Sequence, residues 1–358
     1  MDGVAQSCAT LRASDTRALP RTGMALTILG LGGAQIGGLF RPMALGDAIA
    51  TLEAAWDAGL RYFDTAPYYG YTRSERRVGT FLCERDRAAF RISTKAGRVM
   101  APAEAVGAEE FGYVAPLPFP PRYDYSHDGI LRSFEHSQQR LGLGHVDLLY
   151  VHDIGRYTHG DRHERHWAEL TRGGGFRALE RLRREGQVGG VGLGVNEAAV
   201  VADAMGEIDL DAAMLAGRYT LLEQDALPLL DACVRAGTAV VAAGPFNSGI
   251  LAGAATFDYA AAPPAVVRRV EALRAACVDF GVPLTAAALQ FPLAHPAVVS
   301  VVAGAQSAGH VRANVADIER PIPSAFWAAL ARAGLVAPDA PLPGTLPGGA
   351  SSLAGRPS

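Results

Sequence analysis

The run Val146-Asp147-Leu148-Leu149-Tyr150-Val151-His152 decides the fold. It is apolar apart from Asp147, too short for an ordinary helix, and ends on the polar pair His152-Asp153, so it reads as a buried strand. Before it, His127-Asp128 opens a helical stretch through Leu141 that Gly142 and Gly144 stop. After it come a loop and a second helix ending near Glu185-Gly186. The unit is therefore helix, buried strand, helix.

The same unit recurs along the chain. Strand-like runs occur at Thr27–Gly32, Arg61–Thr65, Arg91–Lys95, Val188–Val195, Asp211–Leu215, Thr238–Ala243 and Val298–Val302. Helical periodicity covers Asp47–Ala58, a segment from Ser74 to Cys83 with Ser74 as its cap, Ala198–Met205, Asp225–Ala236, 264–279, 284–294, Ser307–Ile318 and about 323–334. Eight strands, each followed by a helix, imply a parallel sheet with helices outside it. In one domain of this size the expected fold is a closed (β/α)8 TIM barrel, whose chemistry sits where strands end. The barrel is expected over 21–336, after a loose leader at 1–20 and before a Pro/Gly/Ser-rich, disordered tail at 337–358.

Composition narrows the class. The 358 residues carry a formal net charge of -3, which argues against a nucleic-acid or anionic-membrane partner. The four cysteines are scattered with no Cys-x-x-Cys pair, so neither a zinc cluster nor a disulfide framework is expected. No apolar run reaches spanning length and the first residues lack a signal-peptide core, so a cytoplasmic protein is expected. Oligomeric state is not readable from the sequence.

Lys95 is the only lysine in the chain; every other basic side chain counted with it is arginine. Arginine cannot lose its proton, whereas a lysine is a point charge whose pKa moves on burial. Its place at the end of Arg91-Ile92-Ser93-Thr94-Lys95 points to chemistry. Asp64 ends the preceding strand, Tyr69 follows five residues later, and His152 ends the next strand. Neighbouring strands would gather these groups over one mouth of the barrel. An ammonium beside a phenol lowers its pKa from about 10. Asp64 would hold Lys95, a neutral His152 would orient the reacting oxygen, and Tyr69 would move the proton. Each also has a plain alternative: a turn cap for Asp64, packing for Tyr68 or Tyr69, a satisfied core histidine for His152.

Three further stretches carry candidate chemistry. The glycine-rich loop Gly32-Gly33-Ala34-Gln35-Ile36-Gly37-Gly38 is not the dinucleotide fingerprint, because the third required glycine falls at Gln35 and no helix opens there. It either lets backbone approach a ligand, Gly33 included, or is a flexible turn. His159, His163 and His166 lie in a loop beside Asp161 and Glu164; His163 and His166 at i, i+3 could share a helix face, but spacing fixes no third metal ligand, so a polar loop entering a helix is expected and no metal. Residues 98–127 form a long, aromatic-rich loop expected to wall a substrate.

Asp64-Thr65-Ala66-Pro67-Tyr68-Tyr69-Gly70, Ser74-Glu75, Ser93-Thr94-Lys95 and Val146–His152 together resemble the aldo-keto reductase family. That resemblance implies a barrel oxidoreductase binding a nicotinamide dinucleotide in extended form, with the tetrad on Asp64, Tyr69, Lys95 and His152. Val151–Arg156, Ala216–Leu222, Phe246–Leu251 and Ala287–Phe291 look like the branch of dehydrogenases that oxidise aldoses or pyridoxal at a hemiacetal carbon to a lactone. By the same resemblance the cofactor contacts are Gly33, Asn196, Phe246, Asn247, Ser248, Gly304, Gln306, His310 and Asn314, and the substrate contacts Tyr68, His152 and Arg218. Where many members have Ser-Asn, this chain has Val195-Asn196; Ala216 and Ala243 replace a Gln and a stacking Tyr, leaving Phe246 to stack. None of Gly304, Gln306 and His310 is a permanent cation, so NAD is expected over NADP, with Arg312 as the residue that would weaken this. The expected partner is a small sugar or pyridoxal. The alternatives are a general NADPH-dependent aldehyde or ketone reductase, a lyase forming a Schiff base on Lys95, and a non-catalytic cofactor-binding subunit.

Overall fold

The computed structural model describes residues 11–344. Among them, eight parallel strands close into a barrel: β1 (Leu29–Gly32), β2 (Tyr62–Asp64), β3 (Arg91–Ala96), β4 (Val146–His152), β5 (Val188–Val195), β6 (Ala212–Ala216), β7 (Ala239–Ala243) and β8 (Val298–Gly304). Helices α1 (Leu45–Asp57), α2 (Arg73–Leu82), α3 (His127–Leu141), α4 (Gly175–Arg184), α5 (Ala199–Met205), α6 (Leu227–Ala236), α7 (Pro264–Asp279), α8 (Leu284–Gln290), α9 (Ala308–Ile318) and α10 (Ser324–Arg332) surround it. The expected strands and helices are present within a few residues of their expected ends. No single helix among the described residues is long and apolar enough to cross a membrane.

Alternation along the strands places the site. Side chains of a strand point to opposite faces in turn. Tyr62, Leu148, Tyr150, Met214 and Val241 share one inner cluster, separate from the larger core between strands and helices. One step of two residues beyond them lie Asp64 on β2 and His152 on β4, while Lys95 on β3 is level with Tyr150. The interior face therefore carries apolar residues low in the barrel and the chemical groups at its carboxyl rim.

The structure changes four expectations. Residues 11–20 are not loose: Thr16–Ala18 pairs antiparallel with Ala25–Thr27, and Leu19 and Leu26 pack on the inner cluster. This hairpin covers the end of the barrel opposite the rim, because lumen side chains there need an apolar partner. Residues 1–10 of the expected leader and 345–358 of the expected tail lie outside the described residues, whereas Ala340, within that tail, is buried. The stretch 98–127 is two short antiparallel pairs, Arg98–Met100 with Pro121–Tyr123 and Glu109–Glu110 with Tyr113–Val114. Finally, Ser74 does not cap α2. Its Oγ donates to Gly33 O at 2.7 Å and accepts from Thr65 Oγ1 at 2.8 Å.

Candidate active site

Lys95 and Asp64 are both buried and form an ion pair at the rim. Lys95 Nζ donates to both Asp64 oxygens at 2.9 and 2.8 Å and to Thr65 O at 3.0 Å. Ser93 Oγ, which lies 3.0 Å from the Tyr62 hydroxyl, donates to Asp64 Oδ1 at 2.7 Å. Burial raises the Asp64 carboxyl above its ordinary value, and the Lys95 ammonium and the Ser93 hydroxyl offset part of the rise. Behind the pair, Glu75 is fully buried, accepts from Thr94 Oγ1 at 2.6 Å and pairs with Arg140 at 2.5 Å. The Ser74-Glu75 motif thus ties β3 to α2 and α3.

Tyr69 sits over this pair, with Lys95 Nζ 4.7 Å from its ring centroid. The His152 ring meets Tyr69 edge-on at 5.9 Å and Tyr68 at 6.1 Å. All four expected catalytic residues are therefore brought together. His152 is held neutral: burial, then the Arg98 and Lys95 cations, push its pKa well below the ordinary histidine value. Tyr69 goes the other way from the sequence expectation. Burial, then the Asp64 carboxylate, raise its phenol well above 10.0. Asp64 neutralises the ammonium that was expected to acidify the phenol, and the desolvation cost is left uncompensated.

The remaining expected contacts divide into free and committed side chains. Gly33 donates from its N–H to Asp64 O at 2.7 Å, and a Cβ there would lie 2.6 Å from Ser74 Oγ, so this glycine serves close packing against the Asp64 turn. Asn247 is committed: its Oδ1 accepts from Thr220 Oγ1 at 2.7 Å and its Nδ2 donates to Gly217 O at 3.2 Å. Arg218 is committed too, forked onto Asp258 at 3.0 to 3.1 Å and bonded to Asn196 O. Both tie loops at the rim together and present little spare capacity to a ligand. Asn196 Nδ2 makes only long bonds, to Ala216 O at 3.3 Å and the Tyr259 hydroxyl at 3.4 Å. Ser248 Oγ accepts from Tyr259 N, and Phe246 is half-buried against the core. Tyr259 lies at the tip of the hairpin Thr256–Phe257 with Ala260–Ala261, a residue no local motif had marked.

A second group of expected contacts lines one cavity of about 210 Å³: Gln306 and His310 share it with Gln35, Arg41, Pro42, Met43 and Ser307. Ser307 Oγ accepts from His310 N at 3.2 Å and caps α9. Gly304 is needed because the Gln35 side chain lies against it; an added Cβ would come within 2.0 Å of Oε1. Asn314 is half-buried on α9, one turn beyond His310, and Arg312 is exposed. The permanent cation at this cavity is Arg41, which the sequence reading missed because it lies more than two hundred and sixty residues before Gln306. The cavity and the weakly bonded Asn196 amide are the features that a dinucleotide would fit. An aromatic cavity of about 290 Å³ lies beside Tyr68, lined also by Tyr71, Phe111 and Tyr123 of the expected substrate wall.

The histidines of the 153–170 region are partnered within the protein. His163 meets Ile154 O, His166 meets Glu169, and His159 Nε2 lies 2.9 Å from the Tyr125 hydroxyl. Another pair missed by sequence is Arg98 with Asp153, 2.5 Å apart beside His152.

Comparison with known proteins agrees with this geometry. The profile of the aldo/keto reductase family matches residues 28–334. The chain is 50% identical over 343 residues to pyridoxal 4-dehydrogenase of Microbacterium luteolum, covering 91% of this chain and 99% of that one. It is 41% identical over 324 residues to D-threo-aldose 1-dehydrogenase of a Pseudomonas species, covering 88% and 96%. An aldo-keto reductase of Bacillus halodurans, solved in its holo form, superposes with a TM-score of 0.66 at 23% identity, covering 87% and 94%, and shares the fold. With the barrel, the rim constellation and these likenesses together, the chain belongs to the aldo/keto reductase family.

Proposed function

We propose that this protein oxidises a cyclic hemiacetal to its lactone with NAD as hydride acceptor, pyridoxal being the first substrate to test and aldoses of the L-fucose, D-arabinose or L-galactose type the second. The observation that carries the reading is the buried Asp64–Lys95 pair under the Tyr69 ring with a neutral His152 beside it. Support for the substrate class comes from relatives whose names specify pyridoxal and an aldose, and from the aromatic wall at Tyr68, Tyr71 and Phe111, which suits a flat ring.

When bound, the oxidised nicotinamide accepts the hydride and adds a positive charge to the site. The protein's residues do the rest. His152, being neutral, donates one hydrogen bond to the reacting oxygen and fixes its position. Tyr69 takes the hydroxyl proton as the hydride leaves. Because its phenol rests protonated, the oxidative direction requires the phenolate to form within the loaded site, with Lys95 as the nearest fixed cation. Asn196 would take the cofactor's carboxamide, Phe246 its ring, and Gln306, His310 and Asn314 its adenosine end. NAD is preferred over NADP because none of Gly304, Gln306 and His310 is a permanent cation; Arg41, exposed at that cavity, is the one side chain there that would favour a 2′-phosphate.

Lys95 does not suit a Schiff base. A nucleophilic amine must shed its proton, and this one is held by three oxygen acceptors in an ion pair. The reductase reading has one observation in its favour, the resting neutral phenol, which is the form that donates a proton. A panel of pyridoxal and aldoses with NAD and NADP, against simple aldehydes with NADH and NADPH, separates the two. Formation of NADH with a hemiacetal supports the proposal; turnover of aldehydes alone with NADPH replaces it.

A further inference from the structure

Immediately beyond His152, Asp153 adopts a left-handed backbone (φ 47°), a conformation that costs a non-glycine residue energy and that Asp tolerates better than most. The turn folds its carboxylate back on the residue before it. Asp153 Oδ2 lies 3.4 Å from His152 Nε2 and 2.5 Å from Arg98 Nη2. Arg98 is 3% exposed, and Asp153 is the carboxylate it meets. The Tyr68 ring covers the guanidinium at 3.9 Å, and Arg98 Nε and Nη1 are buried without partners. Leaving two donors of a buried cation unpaired is costly. A purely structural ion pair would be expected to satisfy them, whereas this guanidinium spends its short contact on the one oxygen that faces His152.

A carboxylate only accepts hydrogen bonds. An Asp153 oxygen facing Nε2 therefore selects the tautomer with the proton on Nε2, and His152 Nδ1 is buried with no partner to compete for it. At 3.4 Å the contact is longer than a hydrogen bond, so Asp153 biases the tautomer by its charge and leaves the Nε2 proton free for the substrate oxygen. The groups facing His152 are Lys95 from β3, Arg98 after β3, Asp153 after β4, and the Tyr68 and Tyr69 rings. Asp153 alone would favour the imidazolium; Arg98, sharing the same oxygen, offsets that field.

We propose that Arg98 and Asp153 are positioning residues that hold His152 as the neutral Nε2–H tautomer ready to donate to the substrate oxygen. The proposal rests on His152 being the group that meets the reacting oxygen, but its test is independent of turnover.

The tautomer is read directly from nitrogen chemical shifts of His152 in isotopically labelled protein, assigned by comparison with His152→Gln. The wild type is expected to show a protonated Nε2 and a bare Nδ1, and Asp153→Asn, whose amide can also donate, a mixture. In kinetics, Asp153→Asn is expected to lower kcat by about ten- to a hundredfold, the scale known for carboxylates that orient metal-bound histidines, with little change in KM. Arg98→Met leaves the carboxylate unopposed beside His152. In the reductive direction, where the neutral Tyr69 phenol is the working form, this variant's kcat/KM should acquire an acidic limb between about pH 6 and 8, near the ordinary histidine value, that the wild type lacks. The double variant should lose that limb again, and Arg98→Lys should stay close to the wild type. A bare Nε2 in the wild type, or an unchanged tautomer in Asp153→Asn, overturns the proposal. So does an Arg98→Met profile with the wild-type shape. If Arg98→Met does not fold, the shifts of Asp153→Asn decide. A wild type with the Nε2–H tautomer and no activity on any hemiacetal would sink the proposed function and leave this inference standing.

Discussion

Replacing Lys95 with methionine tests the centre of the site. The change removes an ammonium 2.8 and 2.9 Å from the two Asp64 oxygens and 3.0 Å from Thr65 O, at a position 2% exposed. Asp64 is left with Ser93 as its remaining side-chain donor. Removing one partner of a buried pair typically costs about 3–5 kcal/mol, because an uncompensated charge stays behind. Here the loss is capped from one side. Burial already raises the Asp64 pKa, so without Lys95 the carboxyl can take up a proton and limit the cost. The expected destabilisation is therefore at the lower end, about 3 kcal/mol, and smaller still in Asp64→Asn/Lys95→Met, where no charge remains to strand. Activity should fall much further than stability. Proton transfer by a positioned group contributes about 10²–10⁴-fold, and Tyr69 loses the cation 4.7 Å from its ring. The assay is NADH formation from pyridoxal at saturating NAD, with denaturant unfolding and circular dichroism on the same samples. Undiminished turnover in a folded Lys95→Met protein refutes the reasoning, as does a double variant less stable than the single one.

Four further outcomes follow from the geometry. Because burial raises the Tyr69 phenol, its phenolate fraction grows about tenfold per pH unit below that pKa. Oxidation of pyridoxal should therefore speed up as pH rises while reduction stays flat below that pKa, and Tyr69→Phe should abolish the dependence together with the activity. Arg41→Gln should raise KM for NADP by about tenfold, the worth of one charge-assisted bond to a phosphate at an exposed site, and leave KM for NAD nearly unchanged. His159 is buried with its pKa pushed down to about 3, chiefly by burial. As pH falls below about 6.5 the unfolded histidine takes up a proton that the folded one refuses, so wild-type stability drops; His159→Gln should raise Tm at pH 5 relative to the wild type more than at pH 8. Phe111→Ala, at an exposed ring lining the aromatic cavity, should raise KM for pyridoxal without changing Tm, and equal effects on KM and Tm would remove it from the substrate wall.

By itself the sequence determined the barrel and the position of its chemistry. Strand and helix periodicity are set by residues a few positions apart, and Gly142 or Gly59 stops a helix whatever surrounds it. Alternation along each strand then makes Asp64, Lys95 and His152 inward-facing at the rim. Tertiary structure alone decided which groups meet. Arg98 with Asp153, Glu75 with Arg140, and Arg41 with Gln306 are far apart in the chain, and no local spacing encodes them. It also decided that Asn247 and Arg218, polar and well placed in sequence, spend their bonds on Thr220 and Asp258. The sharpest divergence is Tyr69. Read from residue types, a lysine near a tyrosine lowers the phenol's pKa; in the folded chain Asp64 takes the lysine's charge and burial raises it. A pKa depends on distance and desolvation together, and both exist only once the barrel has closed.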